Sequence, residues 1–519
     1  MKSRPFAIIA VAAATILGGP RIVAADVGEA PALNWKCGPN ARIEGNLLIV
    51  DVPVGEEVTG GLATAELDIA EWDGRPIGAE IVASGERIAK PIHWYTGLKF
   101  QFEYEDPLSG EWSYPNTPGR LGDFPEQVIR VADLVAGTTR AKARMMIGLQ
   151  ETSGHAVFDL STLRIGDPVP LWPIVNQGLR CQYSATFAEA AFRCGGMTHR
   201  RGVMSPSKRT PPDMTEADFD TLQEWGATLI RYQMSSNARF PDGEDAVEWF
   251  DRWVNPKLDH FDSFVLPQAV MRGMKVVLDL HDAPGQKNEF NEMKMFHDPA
   301  LANHFVETWH SIAIRFKGRE GIYGYDLINE PMQTSEATPG CDFWTLQRRA
   351  AEAIREIDPD IPIIVECNGM DSPWAYGCFS PLDMTNIIYQ VHMYLPLAYT
   401  HQGVMWKQGE TYRPYPDESK GWNKDYLRSG LRPVREFQLR HGAKIYCGEF
   451  SAVAWAPGAD QYLRDCIDIF EEYGWDWSYH AFREWEGWSV EHEGPDVQHL
   501  VPAADTPRKH ALLEGFHRP

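Results

Sequence analysis

The sequence predicts an α/β chain in which an all-β sandwich precedes a closed (β/α)8 TIM barrel, and two changes of rhythm along the chain predict it. From residue 27 to 166 short segments alternate apolar and polar side chains with period two and few helical stretches. That pattern belongs to packed antiparallel sheets. From residue 198 to 519 short apolar strands alternate with longer helical patterns, and eight such units can be counted. Eight β-then-α units point to a closed barrel rather than an open sheet.

In chain order, residues 1–25 carry Lys2 and Arg4, the apolar run Phe6 to Leu17, and small residues at Ala24 and Ala25. This reads as a secretory signal peptide, too short in its apolar part to span a membrane, so the mature chain is expected to be secreted or periplasmic. No later segment reaches the length of a membrane span. The sandwich strands are expected in "NLLIVDVPV", "TAELDIAEW", "GLKFQFEYE", "QVIRVADLV", "ARMMIGLQE" and "AVFDLSTLRI". Trp94, Tyr95, Trp112 and Tyr114 suit a sugar-stacking platform, but packing in the core and at the seam with the next domain is the stronger expectation for aromatic rings. Residues 167–197, opening "DPVPLWPIVNQG" with three prolines, read as a connector. The barrel strands are "RRGVMSP", "TLIRYQM", "KVVLDLHD", "IYGYDLINE", "IPIIVECN", "NIIYQVHMY", "AKIYCGEF" and "WDWSYHAF", with helices at 214–225, 299–316, 342–356, 425–441 and 459–472.

The formal net charge of −23 argues against nucleic acid, anionic membrane surfaces and polyanionic polysaccharides as partners. A neutral polysaccharide or oligosaccharide fits better, and the 18 Trp suit the apolar faces of sugar rings, though most Trp residues simply pack. The oligomeric state is left open. Of the eight cysteines, Cys367, Cys447 and Cys466 fall in expected core elements and are expected as free thiols, while Cys181 with Cys194 and Cys341 with Cys378 stand in irregular segments where they can pair. No Cys-x-x-Cys or His-x-x-x-His spacing groups metal ligands, and neither a metal nor a cofactor is expected.

The chemistry is expected at the strand ends. In "YDLINEPMQ" a buried strand finishes on Asn329 and Glu330, and Pro331 behind them cannot continue a ladder. Taken alone, the pair is as well explained as a helix N-cap. Other strands, however, end near Arg231, at His281, at His392 and Tyr394, at Glu449 and near Trp485, so all of these line one mouth of the barrel. Two carboxylates on opposing strands are what acetal hydrolysis needs, one protonated to assist the leaving oxygen and one ionised to attack or stabilise the anomeric carbon. Arg231 and Tyr394 would stabilise an ionised Glu449, whereas Glu330, with fewer cations nearby, would keep its proton near neutral pH.

With "LINEP", "VHMY" and "CGEF" on strands four, six and seven, and Arg231 and His281 after strands two and three, residues 198–516 resemble glycoside hydrolase family 5. The resemblance implies a retaining mechanism with Glu330 as acid/base and Glu449 as nucleophile. It further implies that Asn329 holds the sugar 2-hydroxyl and that His392 and Tyr394 orient the two carboxylates, with Arg231 and His281 in support. Family members usually place a stacking Trp after strand eight, where "WSYHAFREWEGW" offers Trp477, Trp485 and Trp488; Trp485 is favoured because it follows the strand into the loop. Trp374, His401 and Trp406, in the loops after strands five and six, are expected either as subsite walls or as loop packing. The leading expectation is an endo-β-1,4-glucanase, with a β-mannanase or another β-glucan hydrolase, exo-acting forms included, as the rival. The two glutamates contact atoms common to all β-hexosides and do not separate them. A non-catalytic carbohydrate-binding barrel would lack one Glu, and a serine hydrolase would need a Gly-x-Ser-x-Gly elbow that is absent.

Overall fold

The computed structural model describes residues 28–29, 33–68, 77–105, 112–117, 119–133, 143–166, 199–206, 214–241, 243–335, 337–404 and 412–518. The expected signal peptide, the connector 167–197, Cys181, Cys194 and Trp406 lie outside them.

Two antiparallel sheets form the first part of the chain. One takes the order β3 (Ala41–Glu44), β4 (Leu47–Val52), β11 (Gly154–Gly166), β6 (Ile77–Ile88) and β9 (Gly122–Asp133), with β1 (Gly28–Glu29) paired to β11. The other runs β2 (Lys36–Cys37), β5 (Gly61–Leu67), β10 (Ala143–Gln150), β7 (Gly97–Glu105) and β8 (Trp112–Ser113). The period-two pattern has the expected consequence: Phe100, Phe102, Ile147, Leu48, Val50 and Phe158 point inward and are fully buried. Trp94, Tyr95 and Tyr114 do not pack the core as expected. They are 46 %, 56 % and 55 % exposed, because they sit outside strands, where alternation no longer dictates a face.

Eight parallel strands then close into a barrel: β12 (Arg201–Met204), β13 (Leu229–Gln233), β14 (Lys275–Asp279), β15 (Ile322–Asp326), β16 (Ile363–Glu366), β17 (Ile387–Met393), β18 (Lys444–Phe450) and β19 (Asp476–Tyr479). Closure comes from β12 pairing with β19. Helices Glu216–Trp225, Pro299–Phe316, Phe343–Ile357, Lys424–His441 and Ala459–Tyr473 follow the sequence expectation closely. Their ends are read from ordinary caps. Thr215 and Asp218 form a capping box, and Asp298 caps the helix that opens with Pro299. The segment Ala246–Met271 is helical and was not expected as such; Pro256 lies inside the helix Ala246–His260, and a π-helical stretch Phe261–Val265 leads into Leu266–Met271. Two prolines obscure the helical pattern there. Cys367, Cys447 and Cys466 are free and buried, as expected, and Cys341 is a free buried thiol too, so it does not bridge to Cys378. At 3 % exposure it packs as a small hydrophobe in the outer core.

The barrel interior is layered. Leu229, Val277, Tyr323, Ile364, Ile388 and Tyr446 form an apolar cluster of their own. Because side chains alternate along a strand, residues two further on face the same interior. That step leads from Leu229, Val277, Ile364 and Ile388 to Arg231, Asp279, Glu366 and Gln390, all essentially unexposed. The next step reaches Gln233, His281, Asn368 and His392. In β18 the pairing with β17 shifts between Cys447 and Glu449, which carries Glu449 into register with His392.

Candidate active site

Arg231 is the fixed point of the site. Its fully buried guanidinium donates from Nη1 to Glu449 Oε1 at 2.7 Å, from Nε to Asp326 Oδ2 at 2.8 Å, and from Nη2 to Asn329 Oδ1 and Glu366 Oε1, both at 2.9 Å. Asp279 Oδ1 lies 3.3 Å from Nη2. A rigid planar fork suits this task better than an ammonium, since each N–H has its own acceptor. Burial presses the proton affinity of Asp326 up to about 7 against the pull of Arg231, so one guanidinium does not neutralise all the acids around it.

Glu449 is the better supplied of the candidate pair. Besides Arg231, the Tyr394 hydroxyl donates to its Oε2 at 2.8 Å. Burial pushes its carboxyl up, but His392, His480, Arg231 and His281 outweigh it and hold Glu449 well below the ordinary range. His281 Nδ1 sits 2.9 Å from Asp279 Oδ2. Burial alone would lower this imidazole, yet Asp279 and Glu449 raise it to about 9, so it is a cation at neutral pH. Burial and Glu449 drive the Tyr394 phenol far upward, which keeps it a donor.

Glu330 follows Asn329 off β15 with φ of +49°, in the left-handed region, and its N–H donates to Glu366 Oε2 at 2.6 Å. Its side-chain Oε1 meets His392 Nδ1 at 3.0 Å. Gln390 Nε2 donates to Glu366 Oε1 and lies 3.2 Å from His392 Nε2, which leaves the imidazole proton on Nδ1, aimed at Glu330. Burial raises the Glu330 carboxyl, but the His392 hydrogen bond, with the charge of Lys287 adding to it, brings it below its ordinary value. The expectation that Glu330 keeps its proton near neutrality is therefore corrected. His392 was expected only to orient the carboxylates and Lys287 was not singled out, and Glu449 remains the more strongly depressed of the two.

The candidate pair and His392 are close enough for one reaction centre: one polar atom from each of Glu330, His392 and Glu449 can be chosen so that all lie within 4.8 Å of one another. Asn329 Nδ2 is 3.4 Å from His281 Nε2, so Arg231, His281, Asn329, Glu330, His392, Tyr394 and Glu449 all meet at the mouth. The residue that follows β19 is His480, whose Nδ1 lies 2.7 Å from Tyr394 Oη and whose Nε2 is 3.1 Å from Glu484 Oε2. A turn from Trp485 to Trp488 brings the Trp488 ring to 6.2 Å from Tyr394, while Trp485 packs one ring further out, 5.5 Å from Trp488 and 6.0 Å from Trp455. Trp488, 7 % exposed, is the indole packed nearest Tyr394, and the less buried Trp485 lies one ring further out. The His401 ring is 4.9 Å from Tyr394 and 5.0 Å from Trp488; burial lowers its imidazole to about 4, so it is a neutral wall. Trp374 is partly buried against the outer core, with its ring against Gly369.

The sequence reading missed Asp279, Asp326, Glu366, Gln390 and His480. The signal for four of them was present: each is a polar residue two or three positions before a strand end that was singled out, or at the end of strand five, which was not.

A closed barrel carrying two unlike carboxylates at the carboxyl ends of β15 and β18 defines a glycoside hydrolase. Residues 190–485 match the family described as Cellulase (glycosyl hydrolase family 5), and the chain belongs to that family. Among curated relatives, Endoglucanase C of Acetivibrio thermocellus is 27 % identical over 329 residues, covering 56 % of this chain and 91 % of the relative. Cellodextrinase A of Ruminococcus flavefaciens is 23 % identical over 269 residues, covering 50 % and 75 %. A solved structure of Thermotoga maritima Cel5A in complex with cellobiose is 23 % identical with a TM-score of 0.46, over 61 % of this chain and 97 % of that one.

Proposed function

We propose that the chain hydrolyses β-1,4-linked glucan with retention of anomeric configuration, with Glu449 as nucleophile and Glu330 as acid/base. One observation supports the stereochemical part: an oxygen of Glu330 and one of Glu449 lie within 4.8 Å of each other, the close pairing of a double displacement rather than the ~6.5–9.5 Å spacing of an inverting pair. The division of roles rests on the donors. Glu449, held by Arg231 and Tyr394, stays ionised and attacks the anomeric carbon, while Glu330 protonates the departing oxygen and then activates water against the glycosyl-enzyme. For the substrate, the support is the similarity to an endoglucanase and a cellodextrinase, and a net charge of −23 that suits a neutral polymer. Residues 1–25 support action outside the cytoplasm.

Azide tests the roles. Glu449→Ala should fail on all substrates and be rescued by azide to a glycosyl azide of inverted configuration. Glu330→Ala should still glycosylate on an activated aryl glycoside and give the azide of retained configuration. Exchanged stereochemistry would reverse the roles. Product analysis on cellulose, barley glucan, mannan and xyloglucan tests the substrate, and preferred cleavage of mannan would replace the glucanase reading.

A further inference from the structure

Glu366 has no part in the two-carboxylate scheme, yet it touches the backbone of Glu330 and the guanidinium of Arg231. It ends β16 without solvent exposure, and Gln347 of the helix Phe343–Ile357 pins its backbone, accepting from its N–H and donating to its carbonyl, each at 2.9 Å. From there Oε2 takes the N–H of Glu330 at 2.6 Å, and Oε1 takes Arg231 Nη2 at 2.9 Å together with Gln390 Nε2. Every neighbour within hydrogen-bond reach is a donor. Burial and the nearby Asp326 and Asp371 press its carboxyl upward, but it is the ionised form that these donors accommodate.

We infer that Glu366 is a positioning residue for the acid/base, holding Glu330 by its backbone and fixing the imidazole that faces the Glu330 carboxyl. The inference rests on the assignment of Glu330 as acid/base. Two contacts carry it. Glu330 stands at φ +49°, a backbone conformation L side chains rarely adopt, and Pro331 behind it has no N–H to offer, so Glu366 is the acceptor that the turn presents its amide to. Next, the Glu366 carboxylate decides which end of the Gln390 amide faces it. Flipping that amide would set oxygen against oxygen and remove the N–H directed at His392 Nε2, and with it the reason for the ring proton to sit on Nδ1 towards Glu330. Gly448 makes room for this arrangement, since a Cβ there would lie 2.4 Å from Gln390 Cδ. The device governs proton delivery to the leaving oxygen and not the attack by Glu449.

The test is Glu366→Gln in the full chain, assayed on an oligosaccharide and on a 2,4-dinitrophenyl glycoside of the sugar that the substrate panel selects, beside Glu330→Ala. The expected result is a fall in kcat of about 100-fold on the oligosaccharide and less than about fivefold on the aryl glycoside, with KM little changed and a displaced alkaline limb of the kcat/KM profile. Equal losses on both substrates, or oligosaccharide turnover within about threefold of the parent, overturn the inference. If Glu330→Ala shows no dependence on leaving group, the acid/base assignment fails first. If it does and Glu366→Gln does not, only the role of Glu366 falls. Should Glu366→Gln not fold, Glu366→Asp keeps the charge for Arg231 but is one methylene short of the Glu330 amide, and the same split between substrates is required of it.

Discussion

Glu449 accepts from a guanidinium and a phenol, whereas Glu330 faces one imidazole, and this inequality of donors separates two side chains of identical chemistry. His392 lies near both, 3.0 Å from Glu330 and 3.7 Å from Glu449. Both carboxyls are held low in part by it, and removing a group that favours the charged form lets a carboxyl rise. In His392→Ala the acid and alkaline limbs of kcat/KM should therefore both move to higher pH, with a maximum lower by on the order of 10²-fold. Limbs that stay in place or move to lower pH would show that His392 does not tune the pair. Tyr394→Phe should shift the acid limb alone, upward, because its hydroxyl serves Glu449. In the parent, a Glu330 carboxyl below its ordinary value loses its proton early as pH rises. Turnover of unactivated oligosaccharides should fall from the acidic side towards neutrality, while an activated aryl glycoside should hold its glycosylation rate across that window.

At the scale of elements, what presents Glu330 is the turn after β15, and a carboxylate outside the reaction fastens it. Glu292, 3 % exposed, accepts from the N–H groups of Thr334 and Ser335 at 2.7 and 2.6 Å and from both hydroxyls. Burial opposes its charge, but the hydrogen bonds from His297, Thr334 and Ser335 prevail and lower it from 4.5 to about 2. A folded pKa below the unfolded one means stability that is fully present above about 4.5 and is lost as pH falls towards about 2. The shift corresponds to about 3 kcal/mol. Glu292→Gln, which keeps the shape and loses the charge, should lower stability by roughly 1–3 kcal/mol at pH 7 and flatten the loss of stability between pH 5 and 3 measured by denaturant titration. An unchanged midpoint at pH 7 would mean that the turn holds without it.

Across the whole molecule, the sandwich and the barrel build separate hydrophobic clusters, with no residue common to both among those described. Two cores that share no side chains need not unfold together. Calorimetry should resolve two components, and an oligosaccharide bound at the barrel mouth should raise only one of them. A single two-state transition that shifts as a unit would show the domains to be coupled. The mouth residues all come from the barrel, so replacing the exposed Trp94 and Tyr95 of the sandwich by Ala should leave turnover of a short soluble oligosaccharide unchanged within about twofold. A larger loss would bring the sandwich into the active site.

Periodicity was enough for the barrel, because a period-two strand and a 3.6-residue helix each write their pattern locally, and punctuation such as Pro299 and Gly226 marks where helices start and stop. The same locality made Asn329, Glu330, His392 and Glu449 legible, each being polar where an apolar strand ends. The prolines at 256 and 267 hid a helical segment for the converse reason: tertiary packing overrode a local signal. Which of these polar residues meet one another the sequence did not say. That Glu366, Asp279 and Asp326 surround one guanidinium depends on strands meeting at a common axis, with partners as far apart as Arg231 and Glu449. That His480 and Trp488, rather than Trp485, stand against Tyr394 depends on how one loop turns back on itself. Which residues bear polar groups is a property of the chain, whereas which donor faces which acceptor, and so how firmly each carboxylate is held in its charged form, is settled only when distant strands close on one another and exclude water.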